Sequence, residues 1–503
     1  MKKKVKVKMS VIDRIKQKIS GQEENLQGKT VQAAFWSLLG AGGRGTIRFI
    51  SNLILTRLLF PEAFGLMATA MVVLTLVQVF SDTGVKTALI QNPRGGERRY
   101  IDAAFIIALG RSLILYGVVL VAIQPMANFY GEPALTGLLN IMSLALLAEG
   151  MINPALPLLV KKLRLEKQVM YAIGSQLAGF LTTVILVYLM RSVEALALGY
   201  LSTSVYRVLG SYLVTPYKPS LSWDRDAGLE LFHFGKYIIL NTLIGWALLN
   251  IDRLMIGKML DMEQLAFYNI ALYIGTYVSE VLVQVFAQSY FPAVSSISEN
   301  HSRVQAVYKK TVATIVGLVA PFLMLLVLFS QELVGILYDP RYALAGGILF
   351  WISLKSFFHV ISHLQSGTLV ALGKPSYVTL TNGVSLVLVG VLLPVMITRY
   401  GLTGAGIAML LSTFVVGIIQ STVMVKALKF QFWVIVRPWV HLLGTATFMT
   451  VIYLVISNLD AIDTSHILLK MTIMVLLAAG TAWMSHYSEL SLRAVKSVMG
   501  TLK

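Results

Sequence analysis

The chain has 503 residues, of which 56% are hydrophobic and only 13% charged, with a mean hydropathy of +0.74. A soluble domain carries about 25% charged residues, and no stretch here is both polar and long enough to form one, which excludes large catalytic ectodomains and nucleotide-binding cassettes. The excess of 42 Lys+Arg over 24 Asp+Glu, +18 in all, reads as the positive-inside bias of a polytopic membrane protein, with no nucleic acid implied.

There is no cysteine, so the fold uses no disulfide, no thiol chemistry and no Cys-ligated zinc. Residues 1–30 form a basic N-terminal segment. Ile12, Ile15 and Ile19 fall on one helical face there, with Arg14, Lys16 and Lys18 around the rest. Two readings stand: an amphipathic segment lying on the anionic inner leaflet, or a disordered basic tail that sets topology. No short apolar region with a small-residue cleavage site follows it, so no cleaved signal peptide is expected.

Apolar runs then predict fourteen transmembrane helices, near 31–56, 64–90, 101–123, 134–159, 169–190, 193–215, 232–257, 265–291, 311–330, 342–372, 377–398, 402–425, 437–457 and 465–486. Unbroken runs of this length argue against a transmembrane β-barrel, whose strands alternate over about ten residues. Turn chemistry separates them, as at Pro61, Pro133, Pro340 and Gly373-Lys374-Pro375. Assigning loops to alternate sides puts 28 Lys and Arg on one side and 5 on the other, the five being Arg57, Arg191, Lys258, Arg341 and Arg399. Both termini are therefore expected in the cytoplasm.

Residues 57–71 and 258–272 are similar. Basic residues match at Arg57/Lys258, and identities fall at Leu59/Leu260, Glu62/Glu263 and Ala70/Ala271. Each segment follows an odd-numbered helix, and the offset spans an even number of helices. That predicts an all-α membrane fold of two six-helix bundles, 31–215 and 232–425, related by a parallel pseudo-two-fold. A cytoplasmic linker at 216–231 joins them. Two further helices at 426–486 and a cytoplasmic tail at 487–503 complete the chain.

Charges inside the helices are the candidate functional residues, because each costs about 2.5–3.5 kcal/mol near mid-bilayer and normally faces a cavity. Arg44 and Arg48 lie one turn apart in a glycine-rich first helix and suit a phosphate or carboxylate. The competing reading pairs them with an acid such as Glu149 or Glu280. Arg253 and Lys355 are further substrate-binding candidates, and Asp252 beside Arg253 is left between a structural bond and a cavity role. Glu280 and Asp82 are candidates for ion coupling, with Asp82–Lys86 as a local salt bridge the alternative for the latter. Arg111 and Arg207 read as snorkelling cations. His359 and His363 share a face with Lys355 but lack a third ligand nearby, so no metal is expected. No nucleotide-binding, nucleophile-elbow or zinc-protease motif occurs, so the chain reads as a transporter and not an enzyme.

Residues 250–271 (NIDRLMIGKMLDMEQLAFYNIA) and 31–91 resemble the corresponding segments of the Wzx-type polysaccharide flippases, in the multidrug/oligosaccharidyl-lipid/polysaccharide exporter superfamily. The resemblance covers nearly the whole chain. It implies a multi-pass protein of the bacterial inner membrane that moves undecaprenyl-diphosphate-linked oligosaccharide repeat units to the periplasmic leaflet by alternating access through a cationic central cavity. The partners it implies are that lipid-linked substrate, membrane lipids and polysaccharide polymerase machinery. No cofactor is implied, and H+, Na+ and the membrane potential all remain open as the driving force. A lipid II-type flippase and a multidrug/cation antiporter are the alternatives. The dominance of arginine over acids among the intramembrane charges favours an anionic substrate over a cationic drug.

Overall fold

The computed structural model describes residues 26–80, 84–161, 164–235, 239–426 and 428–457. Among the described residues every regular element is helical. The helices are α1 (Leu26–Leu58), α2 (Pro61–Phe80), α3 (Val85–Gln91), α4 (Arg98–Tyr130), α5 (Ala134–Gly150), α6 (Pro157–Lys161), α7 (Leu165–Met190) and α8 (Val193–Val214). They continue with α9 (Arg225–Gly235), α10 (Ile239–Met259), α11 (Met262–Ser295), α12 (His301–Leu328), α13 (Ser330–Leu337), α14 (Leu344–Ala371), α15 (Pro375–Lys426) and α16 (Phe432–Ser457). Seven of them are long and apolar enough to cross a membrane, within α2, α4, α7, α12, α14, α15 and α16. The chain is a multi-pass membrane protein. The basic N-terminal segment, the fourteenth apolar run and the C-terminal tail lie outside the described residues.

The helix ends depart from the apolar runs in three instructive places. The second run breaks at Gly84, whose φ of 58° is left-handed, so Lys86 stands in the separate short helix α3. The expected linker at 216–231 holds most of the amphipathic helix α9, which runs on to Gly235. The runs at 377–398 and 402–425 are two helices that meet without an intervening loop, α15 turning back on itself at Gly401 (φ 58°, ψ −140°) so that the Ser385 and Ser412 hydroxyls lie 3.3 Å apart. That conformation is open in practice only to glycine. A Cβ at Gly404 would lie 2.0 Å from the Met396 carbonyl oxygen, so the turn is tightly closed.

The chain divides into two compact units. The first comprises residues 1–52, 81–123 and 139–239, the second 53–80, 124–138 and 240–503. In the first, α7 and α8 form an antiparallel hairpin turned at Arg191, which adopts φ 47°. Small residues let the two backbones approach, which drives association where lipid gives no hydrophobic incentive. A Cβ at Gly179 would lie 2.0 Å from the Thr203 hydroxyl, and one at Gly199 would lie 2.1 Å from the Thr183 hydroxyl. Each threonine donates back to a glycine carbonyl of its own helix, Thr183 to Gly179 at 2.7 Å and Thr203 to Gly199 at 2.9 Å. No hydroxyl is thus left facing hydrocarbon.

The linker is latched to the same unit. Asp102, buried in the first turns of α4, accepts from the Ser220 backbone N–H (2.7 Å), the Ser220 hydroxyl (2.7 Å) and the Tyr217 hydroxyl (2.6 Å). Burial, then this bond to Asp102, pushes the Tyr217 phenol up. Ala227 and Leu231 of α9 pack on Ala88, Leu89 and Tyr100. Glu230 accepts from Tyr100 (2.5 Å), Arg94 (3.1 Å) and Asn92 (3.0 Å). The Tyr100 hydroxyl, and then Arg94, hold the Glu230 carboxyl below the usual carboxylate range. This contact is therefore complete at neutral pH and is lost as pH falls through that lowered value.

In the second unit α14 is the central helix, buried along most of its length and flanked by α11, α12, α13 and α15. Two glutamines bridge α14 and α15 reciprocally: Gln365 donates to Ser421 and Gln420 donates to Ser366, each at 2.9 Å. Tyr290 of α11 and Thr368 of α14 share a 2.6 Å hydrogen bond.

Gly199→Val should destabilise the first unit by about 1–3 kcal/mol through overpacking. Gly174→Ala, on the same hairpin with open space around the site, should be neutral or stabilising by up to about 1 kcal/mol. Thermal unfolding of both purified variants in detergent checks the contrast.

Candidate functional site

In the first unit α1 remains a continuous helix through its glycine-rich stretch. The glycines serve contact. A Cβ at Gly40 would lie 2.8 Å from Val169, and one at Gly43 would lie 2.8 Å from Ile173, both residues of α7. Gln176 of α7 donates to the Arg44 carbonyl oxygen at 3.0 Å. Arg44 and Arg48 are both exposed and enter no ion pair among the described residues. Glu149 is not their partner: its carboxylate meets Arg207 of α8 at 2.8 Å. Arg207 therefore does not snorkel free. It is fastened between α5 and α8, with Tyr171 and Tyr200 close by.

The second unit holds Arg253, Lys355 and Glu280 together. The tight turn between α10 and α11, capped by Asp261 accepting from the Gln264 N–H at 2.7 Å, forms an antiparallel hairpin. Residues at about equal distances on either side of the turn then face each other. Tyr268 donates to buried Asp252 at 2.6 Å, and Arg253 Nε donates to Asn269 Oδ1 at 2.9 Å. Arg253 Nη1 also donates to Asn250 Oδ1 (3.0 Å) and to the Leu249 carbonyl (3.2 Å). Asp252 thus takes the structural bond, and the half-buried Arg253 keeps its charge.

Lys355 of α14 lies within electrostatic reach of Asp252, Glu280 and Arg253, with His359 next along the helix. His359 and His363 have ring centroids 5.9 Å apart, and Glu280 lies within reach of His363. Lys355 is half-buried and Glu280 exposed, and neither forms an ion pair among the described residues. Among the described residues no group of three or more His, Cys, Asp or Glu could hold a metal ion. Asp82 lies outside the described residues, and with it the Asp82–Lys86 pair. Asn250, Tyr268 and Asn269 were missed as site residues. The recoverable signal is near-equal distance from the short turn at 260–261, which Asp252/Tyr268 and Arg253/Asn269 share.

The two similar segments, 57–71 and 258–272, also meet in this unit. α2 packs along α11 so closely that a Cβ at Gly65 would lie 1.8 Å from the Met262 carbonyl oxygen. The Thr69 hydroxyl is 3.3 Å from the Met262 sulfur. Beside this seam Tyr342 lies edge-on to both Phe64 and Phe267, at 6.3 and 6.0 Å, and its hydroxyl is 3.4 Å from the Leu59 carbonyl. The Arg341 guanidinium covers the Phe60 ring at 5.2 Å. Lys258 donates to the Phe129 carbonyl and sits 4.7 Å over its ring.

Residues 54–345 match the family of polysaccharide biosynthesis proteins, more than half of the chain. The chain belongs to this family. Among its relatives, the succinoglycan biosynthesis transport protein ExoT of Rhizobium meliloti (strain 1021) is 24% identical over 64% of this chain and 65% of its own. The lipopolysaccharide biosynthesis protein WzxC of Escherichia coli (strain K12) is 21% identical over 63% of this chain and 65% of its own. The matches thus span just under two thirds of the length of these two relatives. The fold is similar to that of the lipid II flippase MurJ in an inward closed conformation, with a TM-score of 0.69 and 14% identity over 92% of this chain and 99% of that one.

Arg207→Gln and Glu149→Gln should each destabilise by about 1 kcal/mol, since the pair is half-exposed. The double variant should lose less than the sum, because neither charge is then left alone. Thermal unfolding of the three variants against the unaltered protein measures this coupling.

Proposed function

We propose that this protein is a flippase that carries lipid-diphosphate-linked oligosaccharide repeat units from the cytoplasmic to the periplasmic leaflet for polysaccharide synthesis. The observation that carries the reading is a set of cations without acidic partners on helices of a membrane protein. Arg44 and Arg48 are exposed in one unit. Arg253 is held only by neutral oxygens in the other. A cation left unneutralised where charge is expensive has a use for an anion, and a diphosphate supplies two adjacent charged groups to guanidiniums that bind them bidentately. The names of the relatives and the MurJ-like fold support transport of a lipid-linked glycan, and the same charges disfavour a cationic drug.

The reading includes fourteen helices in two six-helix bundles plus two, residence in a bacterial inner membrane, and both termini in the cytoplasm. The meeting of the two similar segments at the Gly65–Met262 seam supports the pseudo-two-fold. Arg57, Lys258 and Arg341, three of the five basic residues assigned to the periplasmic side, lie in or beside the loops at that seam. We take the seam as the periplasmic closure that must part during alternating access. Lys355, Glu280 and the two histidines are the candidates for coupling to protons or to another ion.

Arg44→Ala at normal membrane abundance should lose export and leave lipid-linked repeat units on the cytoplasmic leaflet, while Arg44→Lys should retain part of it. Arg48→Ala should act in the same direction, less severely. Full export by Arg44→Ala would remove the anionic-substrate reading. Alternation is tested in the naturally cysteine-free chain by Phe60→Cys with Arg341→Cys. A short thiol cross-linker should block export and reductant should restore it.

A further inference from the structure

The most consequential feature of the second unit is where the charge of Asp252 does not go. Asp252 directly precedes Arg253, and although i,i+1 side chains on a helix point about 100° apart, an acid this near could still offset the charge of the arginine. Here Asp252 Oδ2 is taken by the Tyr268 hydroxyl at 2.6 Å and Oδ1 by the Arg253 backbone N–H at 2.8 Å. The side chains of Asp252 and Arg253 form no ion pair, and among the described residues each hydrogen-bond partner of the guanidinium is an uncharged oxygen.

Those oxygens are aimed by a device used twice. Asn269 donates from Nδ2 to the Leu265 carbonyl one turn earlier, at 2.8 Å, so its Oδ1 turns toward Arg253 Nε. Asn250 does the same on the facing helix, donating to the Trp246 carbonyl at 2.9 Å and presenting Oδ1 to Arg253 Nη1. An amide satisfies a guanidinium N–H without removing its charge, whereas a carboxylate would do both. Nε and Nη1 are occupied, and the two N–H groups of Nη2 make no hydrogen bond among the described residues. The guanidinium is gripped at Nε and Nη1 by neutral groups, and Nη2, the nitrogen shared by its two forked edges, keeps its N–H groups for an anion.

We infer that Asn250 and Asn269 are positioning residues that hold Arg253 as an oriented, unneutralised cation for the diphosphate of the substrate, and that Tyr268 serves the same end by sequestering Asp252. This rests on the anionic-substrate reading above. It adds that the neutrality of these amides, as well as their geometry, is required for recognition.

The test exploits a reversal of order. Asn269→Asp keeps an acceptor near Arg253 but places a negative charge on it, and Asn250→Asp does so from the opposite helix. Asn269→Ala removes the acceptor and adds no charge. The probe is inorganic pyrophosphate, and the readout is its concentration-dependent thermal stabilisation of the full chain in detergent, alongside export and membrane abundance in cells. Both aspartate variants should weaken pyrophosphate binding at least 10-fold and abolish export at normal abundance. Asn269→Ala should be milder, at about 3-fold, with partial export. If the asparagines only brace the helices, the order inverts: the aspartates, which form a stronger bond to Arg253, bind and export as well as or better than the alanine. That result overturns the inference. The underlying reading fails separately, if Arg253→Ala binds pyrophosphate and exports as the unaltered protein does. Loss with Arg253→Ala together with full function in both aspartate variants would leave the anion site standing and remove the role of the amides.

Discussion

Placing a charge in a membrane domain costs several kcal/mol unless donors, acceptors or a counter-charge meet it, and the polar architecture of this protein can be read as a set of answers to that constraint. Three answers occur. Arg207 and Glu149 neutralise each other between α5 and α8. Asp102 is met by donors, two of them from Ser220 and one from Tyr217, with Arg98 Nε 3.6 Å away. Arg253 is surrounded by acceptors and left charged. The first two answers make structure. The third leaves an unneutralised cation, as do the exposed Arg44 and Arg48, which enter no ion pair among the described residues.

Small residues do the complementary work in the apolar parts. Gly40 and Gly43 seat α1 on Val169 and Ile173, Gly179 and Gly199 seat α7 on α8, and Gly65 seats α2 on α11. Without a hydrophobic driving force between helices in lipid, close backbone approach supplies the dispersion contact that holds them. The aromatic cluster at the N-terminal ends of α2 and α11 differs in kind. Tyr342 is wedged between Phe64 and Phe267, and Arg341 caps Phe60 through a cation–π contact. Such contacts are noncovalent and close the seam without fusing it.

Much of this was legible in the sequence. The unbroken apolar runs predicted helices, and the long helices of the described residues lie along those runs, with breaks at Gly84 and after Gly150. The similarity of 57–71 to 258–272 pointed to the two segments that pack together. Burial of a twenty-residue apolar stretch leaves the chain few alternatives to a helix, because every backbone N–H and C=O must be satisfied within the segment. The polar partners were another matter. Glu149 was as good a candidate for Arg44 as for Arg207, since pairing across helices depends on rotation about the helix axis, which hydropathy does not encode.

The sequence by itself therefore determined the class, the helical segments, the excess of cations over acids and the family to which the chain belongs. Those properties are sums over composition or local periodicity, and they survive any rearrangement of helices. Only the tertiary structure decided which charges are cancelled and which are kept. Asp252 and Arg253 are neighbours in the chain, yet about 100° of helix rotation separates their side chains. The α10–α11 turn brings Tyr268 to one and Asn269 to the other, and a neutral amide opposite Arg253, where a carboxylate could have stood, is what leaves its charge available.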